Sequence, residues 1–581
     1  MICKDGFPAE MFINAGDGMI DCITNLFNSI KDDVPPDQWD ENHRGIFLTQ
    51  VICKIFERVI KQRIEPKLKN IHRCQAGGMK NRSTTDNVFM LKGIIDHRIY
   101  TGEPTYVTLY DFKQAFDSLW LEDCILSLHN LGMEDELLYL IYCLNKNADI
   151  AVKNPYGLAD AFKATNVVKQ GTVLGPIFCS SSIAEYCTVN KGVNVGNIKI
   201  SSLVFMDDII DVSKCFYDAC NSHENAISFA DQKKLEYNIP KCKTTVVSTK
   251  KKLEPPTLYI KGENIKKVSS FEYLGDHFND KGTNCDLILT RCKEGTATII
   301  STMSTVLELD LGKYTIPALT LAYKQIFIPS FLFNSQAWSK LTNKDVEELS
   351  KIQKNFLRRI LNVPSSTPLS VMYLELGVLP IKYEIIKNRL KYLHHILTLS
   401  DVDPLKKMYN NMKTNEGEEN WANEVETLIQ TYDILCSEQI ALMSPQAYKA
   451  YINKKFETIG LETLKGDCRS KKKTENLSYR NLELQPYLYL MDPSKSRIIF
   501  RARSHMLNTK NDMKNKFANQ NTCCRLCNSA DESIYHIVNC GQEEMIPLDS
   551  ICKIYNENIN IKEASEIADR IENFIKEVNE N

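Results

Sequence analysis

Three aspartates and one Cys/His quartet are the residues whose types and spacing can do metal chemistry here. Asp207 and Asp208 stand side by side in SSLVFMDDIIDVS (201–213), between two apolar runs. A carboxylate in such a setting is costly to desolvate unless something positive meets it. A third acid, Asp111, ends the run TYVTLYDF. Clustered carboxylates repel one another unless divalent cations neutralise them, and hard oxygen ligands suit Mg²⁺. Two such ions, about 3.5–4 Å apart, can activate an attacking hydroxyl and stabilise a leaving pyrophosphate in an in-line displacement. On its own, the Asp pair reads more readily as the exposed tip of a hairpin, because Asp is a common turn residue.

The second cluster lies in NTCCRLCNSADESIYHIVNC. Cys524, Cys527, His536 and Cys540 read C-x2-C-x8-H-x3-C, two close pairs separated by a short loop. That spacing can close tetrahedrally around Zn²⁺. Cys523 is the neighbouring alternative to Cys524, and the two-residue spacing favours Cys524. Four ligands leave no open catalytic position, so the site is structural or grips nucleic acid. His394 and His395 read as ordinary helix residues.

The elements that must position these groups follow from periodicity. TYVTLYDF is short, β-branched and aromatic, a strand that delivers Asp111 at its end. NVGNIKISSLVFMDDIIDVS is a strand pair around Asp207 and Asp208. One sheet can therefore bring all three acids to one edge. IFLTQVICKIFERVIKQRIEPKL has apolar residues at helical spacing (Ile52, Ile55, Phe56, Ile60) and is expected to end before Pro66. QAFDSLWLEDCILSLHNLGMEDELLYLIYCLNKN predicts two helices broken at Gly132. Beyond about residue 285 the pattern is mainly helical, with no internal repeat and no long low-complexity segment.

Composition sets the frame. With 581 residues, 43% hydrophobic and 25% charged, the chain is ordinary globular protein with room for several domains. Twenty cysteines without a charged-then-apolar leader predict a reducing, intracellular setting, with nucleus and cytoplasm unresolved. The short basic run RSKKK at 469 is too weak to assign nuclear entry. The most apolar stretch, TIPALTLAYKQIFIPSFLFNSQAW, carries Pro317, Lys324 and Pro329 and reads as buried helix and loop, so no membrane partner is expected. A net charge of −2 argues against a dedicated nucleic-acid binder, yet the distribution is uneven. Residues 351–400 carry a local balance of +6, and residues 541–581 one of −6. A phosphate-facing middle and a solvated end fit this, as do two wet helix faces.

The order of short segments is more specific than any single one. DFKQAFDSL at 111, VVKQGTVLGP at 167, FMDD at 205, NIPKCK at 238 and FEYLG at 271 follow one another as the palm motifs of reverse transcriptases do. The chain resembles the reverse transcriptase of a non-LTR (LINE-type) retrotransposon. DGFPAEMF, RGIFL at Arg44 and RCQAGGMKNRSTTDNVFML look like the fingers of that family. SQAW at 335, KIQKNFLRRILNVPSSTP and LELGVLPIKYEIIKNRLKYLHHIL look like its thumb and the helices after it.

The resemblance implies an α/β (α+β) right-hand polymerase: fingers over 1–105, palm over 106–280 and a helical thumb over 281–400. A mainly α-helical C-terminal region (401–515), a small zinc knuckle (516–545) and an acidic C-terminal helix (546–581) complete it. It implies RNA-directed DNA synthesis, with an RNA template, a DNA primer and dNTPs as partners and Mg²⁺ or Mn²⁺ as cofactor. Asp111 and Asp207 match the metal-bridging acids, and Asp208 completes the site. The backbone carbonyl of Phe112 can add a ligand. Phe116 falls at the aromatic position under the nucleotide sugar, where a ring clashes with a 2′-hydroxyl. Gln170 and Gly171 match the loop that meets the incoming nucleotide and template. Lys241 matches the lysine that supports the pyrophosphate, with Lys243 as the near alternative. Arg44 and Arg82 are the finger cations placed to reach phosphates.

Three departures carry expectations of their own. Between PPDQW and NHRGI the family has a longer, Lys-containing strand segment, whereas this chain passes through DE alone, which would weaken nucleotide binding. FMDD has Met where the family more often has Ala, an apolar exchange. Met1 falls almost on the fingers and about forty residues follow Cys540, so the expectation is either a truncated element copy or dependence on a separate endonuclease for the target-site cut. The alternative reading is a catalytically silent nucleic-acid-binding remnant of such a polymerase.

Overall fold

A computed structural model describes residues 51–580, apart from 147, 151–152, 155–156, 159–161, 165–167, 170, 250–252, 416, 514–520 and 557–558. Arg44, Gln170 and the DGFPAEMF and RGIFL segments lie outside the described residues. The chain forms two compact units, one of residues up to Thr283 plus Leu399–Glu424, the other of Asn284–Thr398 plus Val425–Asn581.

The first unit opens with helices α1 (Val51–Leu68) and α2 (Thr84–Thr101). α1 runs through Pro66 to Leu68, three residues beyond the expected stop. A proline in the last turn forfeits a single backbone bond there, which a helix end tolerates better than a helix interior. α2 begins at Ser83 with a capping box to Asp86 and ends at Gly102 in the left-handed region. Strand β1 (Thr105–Tyr110), helices α3 (Ala115–Ser118), α4 (Leu121–Asn130) and α5 (Asp135–Asn145), and helix α6 (Gly175–Ile183) follow. Gly132, at φ 84°, separates α4 from α5 where the sequence predicts a break.

Strands β2 (Ser202–Phe205) and β3 (Asp208–Ser213), helix α7 (Phe216–Lys233), β4 (Lys243–Val247) and the two-residue β5 (Lys266–Lys267) complete the central elements. The five strands form one sheet in the order β5-β4-β1-β3-β2, antiparallel except for β4 with β5. Consecutive residues of β1, β3 and β4 are buried regardless of parity, so both faces of the sheet are covered. This explains why their sequences read as apolar runs and not as strict alternation.

The second unit is helical: α8 (Cys285–Glu308), α9 (Thr315–Ala322), α10 (Asn343–Leu361), α11 (Leu369–Leu376) and α12 (Ile381–Thr398). The chain then returns to the first unit with α13 (Pro404–Thr414) and the start of α14 (Trp421–Thr431). There Phe89 of α2 meets Trp421 edge to face, with ring centroids 5.1 Å apart. Arg73 joins Asp86 at 3.2 Å to Asp403 at 2.6 Å. α2 has a glycine at the contact, because a Cβ on Gly93 would stand 2.5 Å from the Met412 methyl.

Helices α15 (Pro445–Arg469), α16 (Pro493–Arg503), α17 (Ile534–Asn539) and α18 (Ile561–Glu580) finish the second unit. One apolar core runs from Leu287 to Phe574. Gln353 sits at its centre, fully buried, and all its bonds are made within the unit. It donates to the Tyr323 hydroxyl (2.6 Å) and the Leu379 carbonyl (2.8 Å), and accepts from the Tyr373 hydroxyl and the Ile381 N–H, both at 2.9 Å. A buried amide satisfied on both ends fixes the register of the elements it joins.

Candidate functional site

The sheet's register places the acids. β1 pairs with β3 from Tyr106 opposite Ser213 to Tyr110 opposite Ile209. One residue further, Asp111 faces Asp208. On its other side β1 pairs with β4 from Thr105 opposite Val247 to Leu109 opposite Lys243, and continuing that register brings Asp111 level with Lys241. Phe205 pairs with Asp208, which leaves Met206 and Asp207 as a two-residue turn with Met206 at φ 58°. The acids expected from the sequence therefore meet at one end of the sheet.

Asp111 is held from behind. Its carbonyl accepts the Asn238 N–H at 2.7 Å, and the Lys113 N–H donates to Glu236 at 2.8 Å. Between these bonds Phe112 stacks on Tyr237, centroids 4.7 Å apart and planes 15° apart. The carboxylate itself is left for something else. Asp111 Oδ2 is shielded from solvent and makes no hydrogen bond, and the Lys241 ammonium stands 3.5 Å from it. Lys241 is mostly exposed and closes a single helical turn, Ile239–Lys241, whereas Lys243 lies in β4 itself. Cys179 is fully buried in α6, and burial, with Asp207 and Asp208 beside it, pushes its thiol well above the ordinary range.

The turn that carries Asp207 is braced by a segment the sequence reading assigned only to the fingers. Ala76 N–H donates to Val204 O and Val204 N–H to Cys74 O, both at 2.9 Å, so residues 74–76 run as a short extra strand beside β2. Gln75, fully buried, clasps Met206 from both sides: its amide donates to Met206 O at 3.1 Å and accepts from Met206 N–H at 2.9 Å. The same oxygen accepts the Gly77 N–H at 2.9 Å. Arg82 secures the loop, donating to the carbonyls of Ile71, His72 and Gln75 at 2.8–3.0 Å. Burial, followed by the neighbouring Arg73, lowers the Arg82 guanidinium to about 10.

The remaining described residues of the expected set lie in other segments. Phe116 is half-buried in α3, just after Gln114 at φ 42°. Gly171 is exposed at φ 102°, in the turn that opens α6. There the Thr172 hydroxyl donates to Lys169 O at 2.9 Å and accepts the Gly175 N–H at 3.1 Å.

Asp211, three residues beyond Asp208, was not singled out from the sequence. It is fully buried and accepts from Tyr186 (2.6 Å), Ser202 (2.7 Å) and Asn190 (3.2 Å). Burial raises its carboxyl to about 7, and those three donors only partly offset the effect. Its folded value lies above the unfolded one, so the stability it contributes is complete below the unfolded pKa and is lost as pH rises towards 7. The loss is on the order of 4 kcal/mol at most. Asp211→Asn is therefore expected to gain thermal stability relative to the native chain as pH goes from about 5 to about 8. Parallel melting temperatures across that range would refute the reading.

In the second unit, Cys524, Cys527, His536 and Cys540 converge with their ligand atoms all within 4.8 Å of one another, a group that could hold a metal ion. Cys523 is not in the group; its backbone bridges to Asp531. Arg525, between the first two cysteines, grips the buried Glu532 by its guanidinium at 2.7–3.1 Å and by its own N–H at 2.9 Å. No described helix is long and apolar enough to cross a membrane.

A family model described as reverse transcriptase (RNA-dependent DNA polymerase) matches residues 31–278, the span that holds the aspartate edge and its braces. These residues belong to the reverse transcriptase family. The curated relatives it matches are polymerases of transposable elements. The probable RNA-directed DNA polymerase from transposon BS of Drosophila melanogaster is 22% identical over 61% of this chain and 40% of its own length. The retrovirus-related Pol polyprotein from type-1 retrotransposable element R2 of Popillia japonica is 25% identical over 34% of this chain and 35% of that protein. The chain thus spans about two fifths of the length of the curated relatives it matches. Among solved structures, telomerase from Candida tropicalis with a TWJ fragment of telomeric RNA aligns at 13% identity and a TM-score of 0.31, over 69% of this chain and 56% of that one. The matched span carries the five-stranded sheet and its helices, and the second unit is helical.

Proposed function

We propose that the chain extends a DNA 3′-hydroxyl with dNTPs on an RNA template, inside the cell. The observation that carries this is the register that sets Asp111 opposite Asp208 with Asp207 in the adjoining turn. Asp111 Oδ2, buried without a hydrogen bond, fits a divalent cation, and an all-oxygen donor set suits Mg²⁺ or Mn²⁺. Such ions, when bound, polarise the attacking hydroxyl and neutralise the departing pyrophosphate.

The chain's own residues do the positioning. The Asp111 and Asp207 carboxylates would hold the ions, with Asp208 completing the site. Lys241, within reach of Asp111, supplies positive charge where pyrophosphate charge develops. The exposed Gly171, free of a Cβ, lets a nucleotide or template approach the backbone. The half-buried Phe116 ring supports the sugar and disfavours a 2′-hydroxyl.

For the Cys/His quartet we propose Zn²⁺ in a structural role. A tetrahedron with zinc–sulfur bonds of about 2.3 Å has sulfur–sulfur edges of roughly 3.8 Å. Cys524 Sγ and Cys540 Sγ are 3.8 Å apart. The eighteen described cysteines are all unpaired thiols, which supports an intracellular setting.

Primer extension on poly(rA)/oligo(dT) tests the reading. Asp207→Ala, Asp208→Ala is expected to lower extension by on the order of 10³-fold or more, with folding retained. Silence of the native, folded chain at every Mg²⁺ and Mn²⁺ concentration would overturn it.

A further inference from the structure

The C-terminal end of α10 gathers arginines that, among the described residues, no carboxylate pairs with; Asp492 acts on Arg497 without an ion pair. Arg358 donates to Ser365 O at 3.1 Å, Arg497 to Ile360 O at 3.3 Å and Arg501 to Asn362 O at 2.8 Å. Guanidinium groups from α10 and α16, separated by about 140 residues of sequence, thus meet on one turn, 360–365. All of these residues lie within the second unit. Arg359 adds a fourth charge in the same helical turn of α10.

Capping the last carbonyls of α10 explains one arginine. It does not explain three. Arg497 and Arg501 lie at i and i+4 on α16, a spacing at which like charges repel. Burial, with Arg501 beside it, lowers the Arg497 guanidinium. Among the described residues none of these arginines forms an ion pair with a carboxylate, and the turn Asn362–Thr367 contains no acid. In each of Arg358, Arg497 and Arg501 the Nε–H is shielded from solvent and makes no hydrogen bond. Each fork also keeps Nη–H donors that its one backbone contact does not use, and these, not the shielded Nε–H, can meet a ligand. The group that satisfies several such donors, and the repulsion between them, is a polyanion with oxygen acceptors on repeating centres. A phosphodiester backbone is that group, and arginine is the residue whose planar fork matches it.

We propose that Arg358, Arg497 and Arg501, on the 360–365 turn, form a docking site for the phosphate backbone of single-stranded RNA. The site deepens the reading of the chain as a nucleic-acid enzyme and rests on it. It also places the function of the basic stretch 351–400 in a defined part: the end of α10, completed by α16, and not the stretch as a whole.

The test is fluorescence anisotropy of the full chain with a labelled uridine oligonucleotide over a range of KCl concentrations. Each phosphate contact on a single strand contributes about 0.7 to the slope of log affinity against log salt. The variant Arg358→Gln, Arg497→Gln, Arg501→Gln is expected to have a slope shallower by about 2. The matching lysine variant keeps the charges and is expected to keep the slope. A folded glutamine variant with an unchanged slope overturns the proposal, as does a lysine variant that loses the slope as the glutamine variant does. If the triple glutamine variant does not fold, Arg501→Gln alone is expected to reduce the slope by about 0.7, and an unchanged slope there counts against the site. Primer extension on the same samples separates the two readings. A chain that cannot extend primers yet shows the slope change keeps the docking site, and one that extends normally without it loses only the docking site.

Discussion

Glu375→Ala is expected to destabilise the helical unit by about 3–5 kcal/mol, the largest stability effect of any single change considered. Glu375 and Arg503 are both completely buried and joined at 2.7 Å. The carboxylate also accepts the hydroxyls of Tyr479 at 2.6 Å and Tyr487 at 2.9 Å, and the Glu375 carbonyl accepts the Gln485 N–H at 3.0 Å. Arg503 reaches onward to the carbonyls of Ile554 and Asn556. One pair thus ties α11, the 479–487 segment, α16 and the approach to α18 together. Removing the acid leaves a guanidinium with no exposure and no counter-charge, which is the costly way to break a buried pair. Replacing the whole group with apolar side chains of similar volume is not. Glu375→Leu with Arg503→Met, Tyr479→Phe and Tyr487→Phe is expected to recover most of the lost stability. For a unit of this size the melting temperature falls by roughly 2–4 °C per kcal/mol, so Glu375→Ala should show a clear drop by calorimetry or circular dichroism. A drop smaller than that of an exposed Glu→Ala change such as Glu462→Ala would refute the assignment.

The strand that ends in Asp111 and the hairpin with Asp207 at its turn were legible because β-branched and apolar runs bounded by polar residues mark strands, and the acids sit at their ends. Their meeting was legible only as a possibility of one sheet, since no periodicity records that β1 lies between β3 and β4. The Cys/His group was legible in full because its spacing is short and local. Other features depend on distant partners. Gln75 contacts a residue 131 positions away, and a lone Gln followed by Ala-Gly-Gly carries no pattern that names that partner. Asp211 reads as one more strand residue until Tyr186 and Asn190 close over it. The run 399–424 reads as a continuation of the helices around it, yet Trp421 packs on Phe89 of α2 and Asp403 pairs with Arg73, which also holds Asp86 of α2. The arginines of α10 and α16 read as charge runs on separate helices. Arg82, expected as a phosphate-reaching cation, donates to three carbonyls of its own loop.

That loop leads to the second large effect, Gly77→Ala. A Cβ at Gly77 would stand 2.3 Å from Met206 N and 2.5 Å from Met206 Cγ, so backbone must move and not merely a side chain. What must move is fixed by the surrounding bonds. The Gly77 carbonyl is held by the Ser180 hydroxyl at 2.6 Å, and its N–H by the Gln75 oxygen that also accepts the Met206 N–H. Met206 is the weaker side, because it is already in the left-handed region as the first residue of a tight turn. Its displacement carries Asp207, the next residue, away from Asp111. Misplacing a reacting group by about 1 Å can cost on the order of 10²-fold in rate, and single-nucleotide incorporation by Gly77→Ala should fall by at least that factor. The Mg²⁺ concentration needed for half-maximal rate should rise with it, because the carboxylates no longer share the ions in the same geometry. A loss through unfolding would instead appear in the melting temperature and leave the Mg²⁺ requirement of the surviving fraction unchanged. Gly466→Ala, on an open face of α15 where the new methyl meets nothing within 4 Å, serves as the glycine control and should leave incorporation as it is. A folded Gly77→Ala chain with native rate and native Mg²⁺ requirement would show that the 74–77 segment does not position Asp207.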